Sequence, residues 1–528
     1  MTATAVDAPA PTDRRRWPLA ISGLVATAVA LGATEVLAGV VAPVPSLVQA
    51  VGNGVIDLGA GTPVKDIAIA LFGTNEKSAL VIGTVILALL FGTGLGLASR
   101  HSLVPATVGF TAFALLGLGA TFASPLDSAA WAILPAAVAV VSGVALLRYL
   151  LQLDQRVRVA GSRATSPEAK ARADRGRRDF LRVAVGLAAV GGVLGALGRS
   201  LTGRSQTSAV RSTVILPEAV PAPVAEASTS LDVDGISPLF TPNEQFYRID
   251  TALMSPTVDV ETWSLRIHGL VDRGVELTYD DLLAMDQFEG DVTIACVSNE
   301  VGGDLIGTAR WQGVRLSEVL DLAGVDAEQA TQIVGRSVDG WTAGFPTELA
   351  FDGRNAMVAV AMNGEPLPVD HGFPARLIVP GIYGYVSATK WLSEIELTTW
   401  EQFDGYWIPR GWAKEGPIKT QSRIDVPRGG AQVSAGEVAI AGVAWAQQRG
   451  VDRVEVSIDG GQWREAELAD AVNIDTWRQW VYRWDAAPGE HQIRVRATDA
   501  TGETQSEDRV PVAPDGAEGY HTRVVRVA

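Results

Sequence analysis

The sequence predicts three architectures in one chain: an all-α transmembrane anchor over residues 1–199, an α+β domain over 239–424 and a C-terminal β-sandwich over 425–528, with a linker at 200–238. Three observations carry this reading. Apolar runs of about 20 residues, the length that crosses a bilayer, crowd the N-terminal part. Short strands mix with short amphipathic helices in the middle, and the C-terminal part reads as strands and turns alone. Charge divides at the same boundary: residues 1–198 hold 16 Lys and Arg against 11 Asp and Glu, whereas residues 199–528 hold 27 against 48. So acidic a C-terminal part lacks the basic footprint that nucleic-acid binding requires. A chain that is 47% hydrophobic fits a membrane anchor joined to an acidic extramembrane module.

Five segments are expected to span the bilayer: Trp17–Val41, Ala79–Ser99, Leu103–Ser124, Ala129–Leu151 and the shorter Phe180–Leu197. Val44–Leu58 is also apolar, but Pro45, Gly52 and Gly54 interrupt it, and it is expected as an external or interfacial loop. Basic residues set the orientation. Arg14-Arg15-Arg16 precede the first span, Arg100 lies between the second and third, and a basic run from Arg148 to Arg182 separates the fourth and fifth. The loops near 42–77 and 125–128 offer only Lys65 and Lys77. All three basic loops share one side when the N-terminus is cytoplasmic, and the fifth span then delivers residues 200–528 to the outside.

Arg177-Arg178-Asp179-Phe180-Leu181, ahead of a Gly/Ala-rich run, resembles a twin-arginine export signal placed internally. An ordinary positive-inside flank is the plainer reading of the same residues. The export route carries folded cargo, as a domain loaded with cofactor in the cytoplasm requires. Glu35 is the one acidic residue inside a span, either a functional intramembrane charge or a helix-end group facing its neighbours. Of five histidines only His101 is near a span, so a bis-histidine haem in the helices is not expected.

Cys296 is the only cysteine. It has no partner for an internal disulfide, and Cys₄ or Cys₂His₂ zinc sites are excluded with it. Alone it reads as a buried thiol at the end of a strand, Asp291–Val297. Its neighbours along the chain change that reading. Thr262–Leu270 alternates like a strand, and Thr278–Met285 and Leu316–Ala323 read as short helices.

Thr241-Pro-Asn-Glu-Gln-Phe-Tyr-Arg-Ile-Asp250, Val292-Thr-Ile-Ala-Cys-Val-Ser-Asn299 and Ala309-Arg-Trp-Gln-Gly313 stand in the order of the molybdopterin domain of the sulfite oxidase family. His371-Gly-Phe-Pro-Ala-Arg376 and Tyr383-Gly-Tyr-Val-Ser-Ala-Thr-Lys-Trp391 follow in the same order, and the resemblance covers about residues 240–425. It implies an α+β sulfite-oxidase-like fold holding one molybdenum–molybdopterin per chain. It also implies that Cys296 ligates the metal as a thiolate, a soft donor suited to a thiophilic centre. Arg248 and Tyr385 are implied beside Cys296 at the catalytic centre. Phe246, Tyr247, Arg248, Asp339, His371, Arg376, Thr389 and Lys390 are implied to line the pterin, with Arg376 and Lys390 on its phosphate.

One departure bears on substrate. Sulfite-oxidising members place an arginine just after the Cys-x-x-Asn stretch, where this chain has Glu300-Val301-Gly302-Gly303. A glutamate there opposes a dianion. Tyr383, Tyr385, Trp341, Tyr406, Trp407 and Trp412 offer an aromatic entrance or simple packing.

In the C-terminal part, Val438–Val443, Val451–Ile458, Gln479–Trp484 and His491–Ala497 alternate as strands, with Asp459-Gly460-Gly461 as a hairpin turn. This part resembles the immunoglobulin-like dimerisation domain that follows the molybdenum domain in the family, which implies a homodimer.

The chain is therefore expected to be a membrane-anchored, extracytoplasmic molybdenum oxidoreductase performing two-electron oxygen-atom transfer on sulfite or another small sulfur compound. The alternatives are a reductase of sulfoxides, or a non-catalytic binding or assembly protein on the same fold. The sequence has no haem-attachment motif and no iron–sulfur cysteine set. A separate carrier, a cytochrome or a membrane redox partner, is expected to exchange the electrons.

Overall fold

The structure, a computed structural model, describes residues 16–41, 44–59, 76–122, 129–162, 165–203 and 210–528. They form two compact units. One holds the described residues up to 203 together with Thr251–Met254, and the other holds 210–250 and 255–528.

The first unit is all helix: α1 (Trp17–Val40), α2 (Leu47–Gly59), α3 (Glu76–Ala98), α4 (Val104–Thr121), α5 (Ala129–Ser162) and α6 (Pro167–Gly203). Among the described residues, five of these, all but α2, are long and apolar enough to cross a membrane. Small residues let the helices approach closely, as bilayer packing favours. Gly32 and Gly39 of α1 lie directly against the backbone of α6 at Gly191 and Gly198. Arg14, Arg15, Lys65 and the 125–128 loop, on which the orientation argument partly rests, lie outside the described residues.

The segment expected as a loop at Val44–Leu58 is instead helical. Ser46 Oγ accepts the Gln49 N–H at 3.1 Å, a cap that starts α2. Leu47 then packs on Ala114 and Ala136, and that burial outweighs the low helix propensity of Gly52 and Gly54. Thirteen residues remain too short to cross a bilayer. Glu35 accepts a hydrogen bond from Ser46 Oγ at 2.7 Å.

The second unit begins with strands β1 (Ala219–Val220), β2 (Ser264–Gly269), β3 (Val275–Thr278), β4 (Gln287–Ala295) and β5 (Ile306–Arg315). Then come β6 (Gln332–Ser337), β7 (Thr342–Pro346), β8 (Met357–Met362), β9 (Glu365–Pro366), β10 (Arg376–Ile378) and β11 (Leu392–Thr398). One sheet runs β1-β4-β5-β8-β10 with β9 beside β8, and a second runs β3-β2-β11-β6-β7. Every residue of β8 is buried, which explains why Met357–Met362 reads as an unbroken apolar run with no alternation. Short helices α7 (Tyr279–Ala284) and α8 (Leu316–Asp321) follow β3 and β5. The start of α7 is set by a capping box in which Thr278 and Asp281 bond each other's backbone N–H. A third short helix, α9 (Gly384–Ser387), precedes β11.

The C-terminal strands are β12 (Gln421–Val426), β13 (Gln432–Val433), β14 (Gly436–Trp445), β15 (Val451–Ile458), β16 (Arg464–Glu465), β17 (Glu467–Leu468), β18 (Arg478–Ala486), β19 (Gly489–Asp499) and β20 (His521–Val527). They make two sheets, β12-β14-β18-β17 and β13-β20-β19-β15-β16. Ile440, Val454, Trp480, Ile493 and Val495 fill the space between them, as the alternation predicts. Asp459 and Gly460 both take positive φ at the expected turn.

Candidate active site

Cys296 is the first residue past β4. The strand ends there because the chain turns back on itself: the Cys296 N–H donates to Leu305 O at 2.9 Å, and the Asn299 N–H donates to Cys296 O at 3.0 Å. The thiol is buried, and its sulfur accepts the Ser298 N–H at 3.4 Å. A hydrogen-bonded sulfur at the tip of a buried strand is held in one direction, as a metal ligand must be.

The 240–250 segment contributes the rings. Phe246 stacks on Tyr247 with centroids 5.3 Å apart and meets Trp311 and His371 edge-on at 5.9 and 5.6 Å. His371 Nε2 pairs with Asn243 O at 3.0 Å. Burial pushes the His371 imidazole down to about 4, with Arg376 and Lys390 adding to the push. The ring is therefore neutral at ordinary pH and offers hydrogen bonding without charge.

Arg376 opens β10 and is buried at 4% exposure. Its Nη1 donates to His371 O at 3.1 Å, and the guanidinium lies 5.0 Å from the Trp311 ring. Its Nε has no hydrogen-bond partner, and among the described residues no carboxylate pairs with it. Burial lowers its pKa to about 10. A buried guanidinium left short of an acceptor is costly unless an anion completes it.

Lys390 follows Thr389, which is fully buried with Oγ1 3.4 Å from Gly335 O. Lys390 Nζ pairs with Asp250 Oδ2 at 2.7 Å and donates to Asp370 O at 3.1 Å. Arg248 joins the cluster, with Nε 2.9 Å from Asp250 and Nη1 3.2 Å from Asp370. Asp339 is raised by burial and by the nearby Asp250 charge. Backbone geometry brings these groups together. Gly372, at φ +112°, passes so close to Lys390 and Arg376 that an added Cβ would sit 3.1 Å from Lys390. Trp391 is held at φ +50°, an uncommon conformation for a bulky residue and one typical of functional sites.

The structure thus gathers Phe246, Tyr247, Arg248, Asp339, His371, Arg376, Thr389 and Lys390 into one cluster. Cys296 adjoins it through Tyr247: burial raises the Tyr247 hydroxyl first, and Cys296 raises it further. Tyr385 is placed differently. Its hydroxyl donates to Ala413 O at 2.6 Å, and its ring lies 5.9 Å from Trp412. The tyrosine that senses Cys296 from this segment is Tyr383, raised to about 12 chiefly by burial. Glu300, expected to oppose an anion, is exposed. Sequence reasoning gave no role to Asp250, Asp370 or Trp311. Asp250 carried a local signal, standing two residues after Arg248, whereas Asp370 and Trp311 are joined to the cluster only by folding.

A group bearing both a phosphate and soft sulfur chemistry fits this donor set. Arg376 supplies an unfilled donor, Lys390 a second cation, and Cys296 a preoriented thiol.

Comparison with known proteins agrees with the fold. Residues 252–407 match the oxidoreductase molybdopterin binding domain, and residues 421–495 match the bacterial Ig domain. The uncharacterized oxidoreductase YuiH of Bacillus subtilis (strain 168) is 35% identical over 158 residues, 30% of this chain and 76% of that protein. Mitochondrial sulfite oxidase of Mus musculus is 32% identical over 320 residues, 52% of this chain. The chain spans only 58% of that relative's length. The sulfane dehydrogenase SoxCD of Paracoccus pantotrophus aligns with a TM-score of 0.48 at 24% identity, over 58% of this chain and 88% of that one. The chain belongs to the molybdopterin-binding oxidoreductase domain family, related to the sulfite oxidases, and joins that domain to a multi-pass membrane anchor.

Proposed function

We propose that the chain is an extracytoplasmic molybdenum oxidoreductase that moves an oxygen atom to or from a small sulfur compound. The observation that carries this is the buried Arg376, short of an acceptor, in one cluster with Lys390 and with Tyr247, the ring that also lies close to Cys296. When bound, a molybdenum–molybdopterin supplies two-electron redox chemistry and oxygen-atom transfer. Cys296 would hold the metal through its thiolate, and Arg376 and Lys390 would hold the cofactor's phosphate. Neutral His371 orients the pocket through Asn243 and its ring contacts, and Phe246, Tyr247 and Trp311 exclude water from the buried side. Arg248, fixed by Asp250 and Asp370, would face the reacting group. Two electrons must then leave or enter through a separate carrier, a cytochrome or a membrane partner.

Basic flanks support a cytoplasmic N-terminus and an external catalytic unit. Arg177-Arg178 before the apolar half of α6 supports export of that unit already folded. The sandwich supports a homodimer by its place after the catalytic domain.

Direction is open to a second reading. Both Arg248 and Lys390 are matched by carboxylates. A pocket so neutralised attracts a dianion weakly and suits an uncharged sulfoxide. Purified full-length protein assayed with a redox dye separates the two. Turnover of sulfite with an oxidised dye supports oxidation, and turnover of methionine sulfoxide with a reduced dye supports reduction. Loaded protein inactive with both would overturn the sulfur-compound reading.

A further inference from the structure

The β-sandwich reaches into the loop that carries Cys296. Along β4, β1 covers only Gln287 and Phe288. Further along that strand the neighbours come from the sandwich. Asn473 Nδ2 donates to Asp291 O at 2.9 Å, the Thr293 N–H donates to Asp475 O at 2.9 Å, and Gln447 Nε2 donates to Thr293 O at 3.1 Å.

Two side chains then grip the turn itself. Arg423, on β12, is buried; its Nη1 donates to Gly303 O at 2.8 Å, Nη2 to Ser237 Oγ at 2.7 Å and Nε to Asp425 Oδ1 at 2.7 Å. Each nitrogen of the guanidinium thus donates a hydrogen bond, which a lysine cannot reproduce. His521, on β20, accepts the Ile424 N–H on Nδ1 at 2.9 Å and lies against Gly302. Gly302 has φ +80°, and a Cβ there would fall 2.3 Å from His521 Nε2. The Gly302-Gly303 pair that stands out in the sequence is what this contact needs.

We infer that Arg423 and His521 are positioning residues that lock the 296–305 turn and so fix the direction of the Cys296 sulfur. They act through the turn, and neither is placed at the reacting atoms. The sandwich is then the second half of the cysteine's scaffold, whether or not it also dimerises. The inference adds to the molybdenum reading but is testable apart from it, since thiol access reads the lock in protein without cofactor.

Cys296 is the only cysteine, so its maleimide labelling in the full-length, cofactor-free chain is unambiguous. A buried thiol labels only when its turn opens. Arg423→Lys is expected to accelerate labelling about tenfold, and Ser237→Ala, which removes one acceptor, by a smaller factor. Ile440→Ala, in the sandwich core, lowers the unfolding midpoint without accelerating labelling. In loaded protein Arg423→Lys is expected to shift the thiolate-to-metal absorption band. Labelling at the wild-type rate in Ser237→Ala and in any folded Arg423→Lys overturns the inference. Equal acceleration in Ile440→Ala also overturns it, by showing that sandwich stability alone governs the turn. Wild-type protein that comes out of cofactor-competent cells without metal or pterin, while Arg423→Lys still accelerates labelling, would count against the molybdenum reading and leave the lock standing.

Discussion

Lys390 Nζ lies 2.7 Å from Asp250 Oδ2, with both side chains at or below 10% exposure, and Arg248 Nε reaches the same oxygen at 2.9 Å. One carboxylate therefore holds two of the cations expected to meet cofactor or substrate. Removing its charge strands a buried ammonium. Asp250→Asn is expected to destabilise the cofactor-free chain by about 3–5 kcal/mol, read as a lowered midpoint in denaturant. An unchanged midpoint would mean the pair is not held as the structure draws it.

Lys390 also gives the site a pH dependence. Burial lowers it to about 8 from an ordinary 10.5, with Asp250 limiting the fall. It is charged below about 8, so capture of an anionic cofactor by cofactor-free protein should weaken as pH rises through that value. The folded chain holds this proton less tightly than the unfolded chain, so the Lys390 contribution makes stability rise between about 8 and 10.5. Lys390→Met should flatten both slopes in paired uptake and unfolding measurements.

Arg376 has the opposite profile from Asp250. In the absence of an anion it is a buried cation that the fold does not satisfy. Arg376→Met should leave the cofactor-free chain as stable or more stable, by about 1–4 kcal/mol, and sharply lower the pterin it retains on purification. A variant that is strongly destabilised yet fully loaded would show that Arg376 serves the fold and not the cofactor.

His521 predicts an acid limit. Burial pushes it down to about 3 from an ordinary 6.5, with Arg523, Arg423 and Arg509 adding to the push. The unfolded chain takes up this proton first, so stability falls as pH drops below about 6.5, by up to about 1.4 kcal/mol per pH unit from this group. His371, lowered to about 4, contributes in the same sense over a narrower range. His521→Asn, which keeps an acceptor near Ile424, should shallow the decline of the unfolding midpoint between pH 7 and 5. An unchanged decline would assign it to other groups.

Much of this was legible in the sequence because local pattern and local structure coincide. The five long apolar runs became five long helices, and the alternating strands Val451–Ile458 and His491–Ala497 became β15 and most of β19. The cluster around Arg376 and Lys390 was legible through the ordered family motifs, since neither residue carries a signal by itself. What was not legible depends on contacts distant in sequence. Val44–Leu58 read as a loop because its glycines break the helical pattern, and the Ser46 cap together with the packing of Leu47 on Ala114 and Ala136 makes it a helix. Glu300 read as facing the metal because it is four residues from Cys296, but the Gly302–Gly303 turn, held by Arg423 and His521 from more than a hundred residues away, leaves it exposed. The motif that marks Tyr385 also carries Tyr383, and folding bonds the Tyr385 hydroxyl to Ala413 O while it sets Tyr383 near Cys296, a division that no local pattern announces.

The most direct test of the central claim is the molybdenum and pterin content of full-length protein purified from cofactor-competent cells, wild type beside Cys296→Ser. About one molybdenum and one pterin per wild-type chain is expected. Cys296→Ser should lose the thiolate-to-metal absorption and turnover while Arg376 and Lys390 still retain pterin. Wild-type protein that is folded but free of both metal and pterin would contradict the claim, return Cys296 to a core thiol, and leave a binding or assembly protein on the same fold.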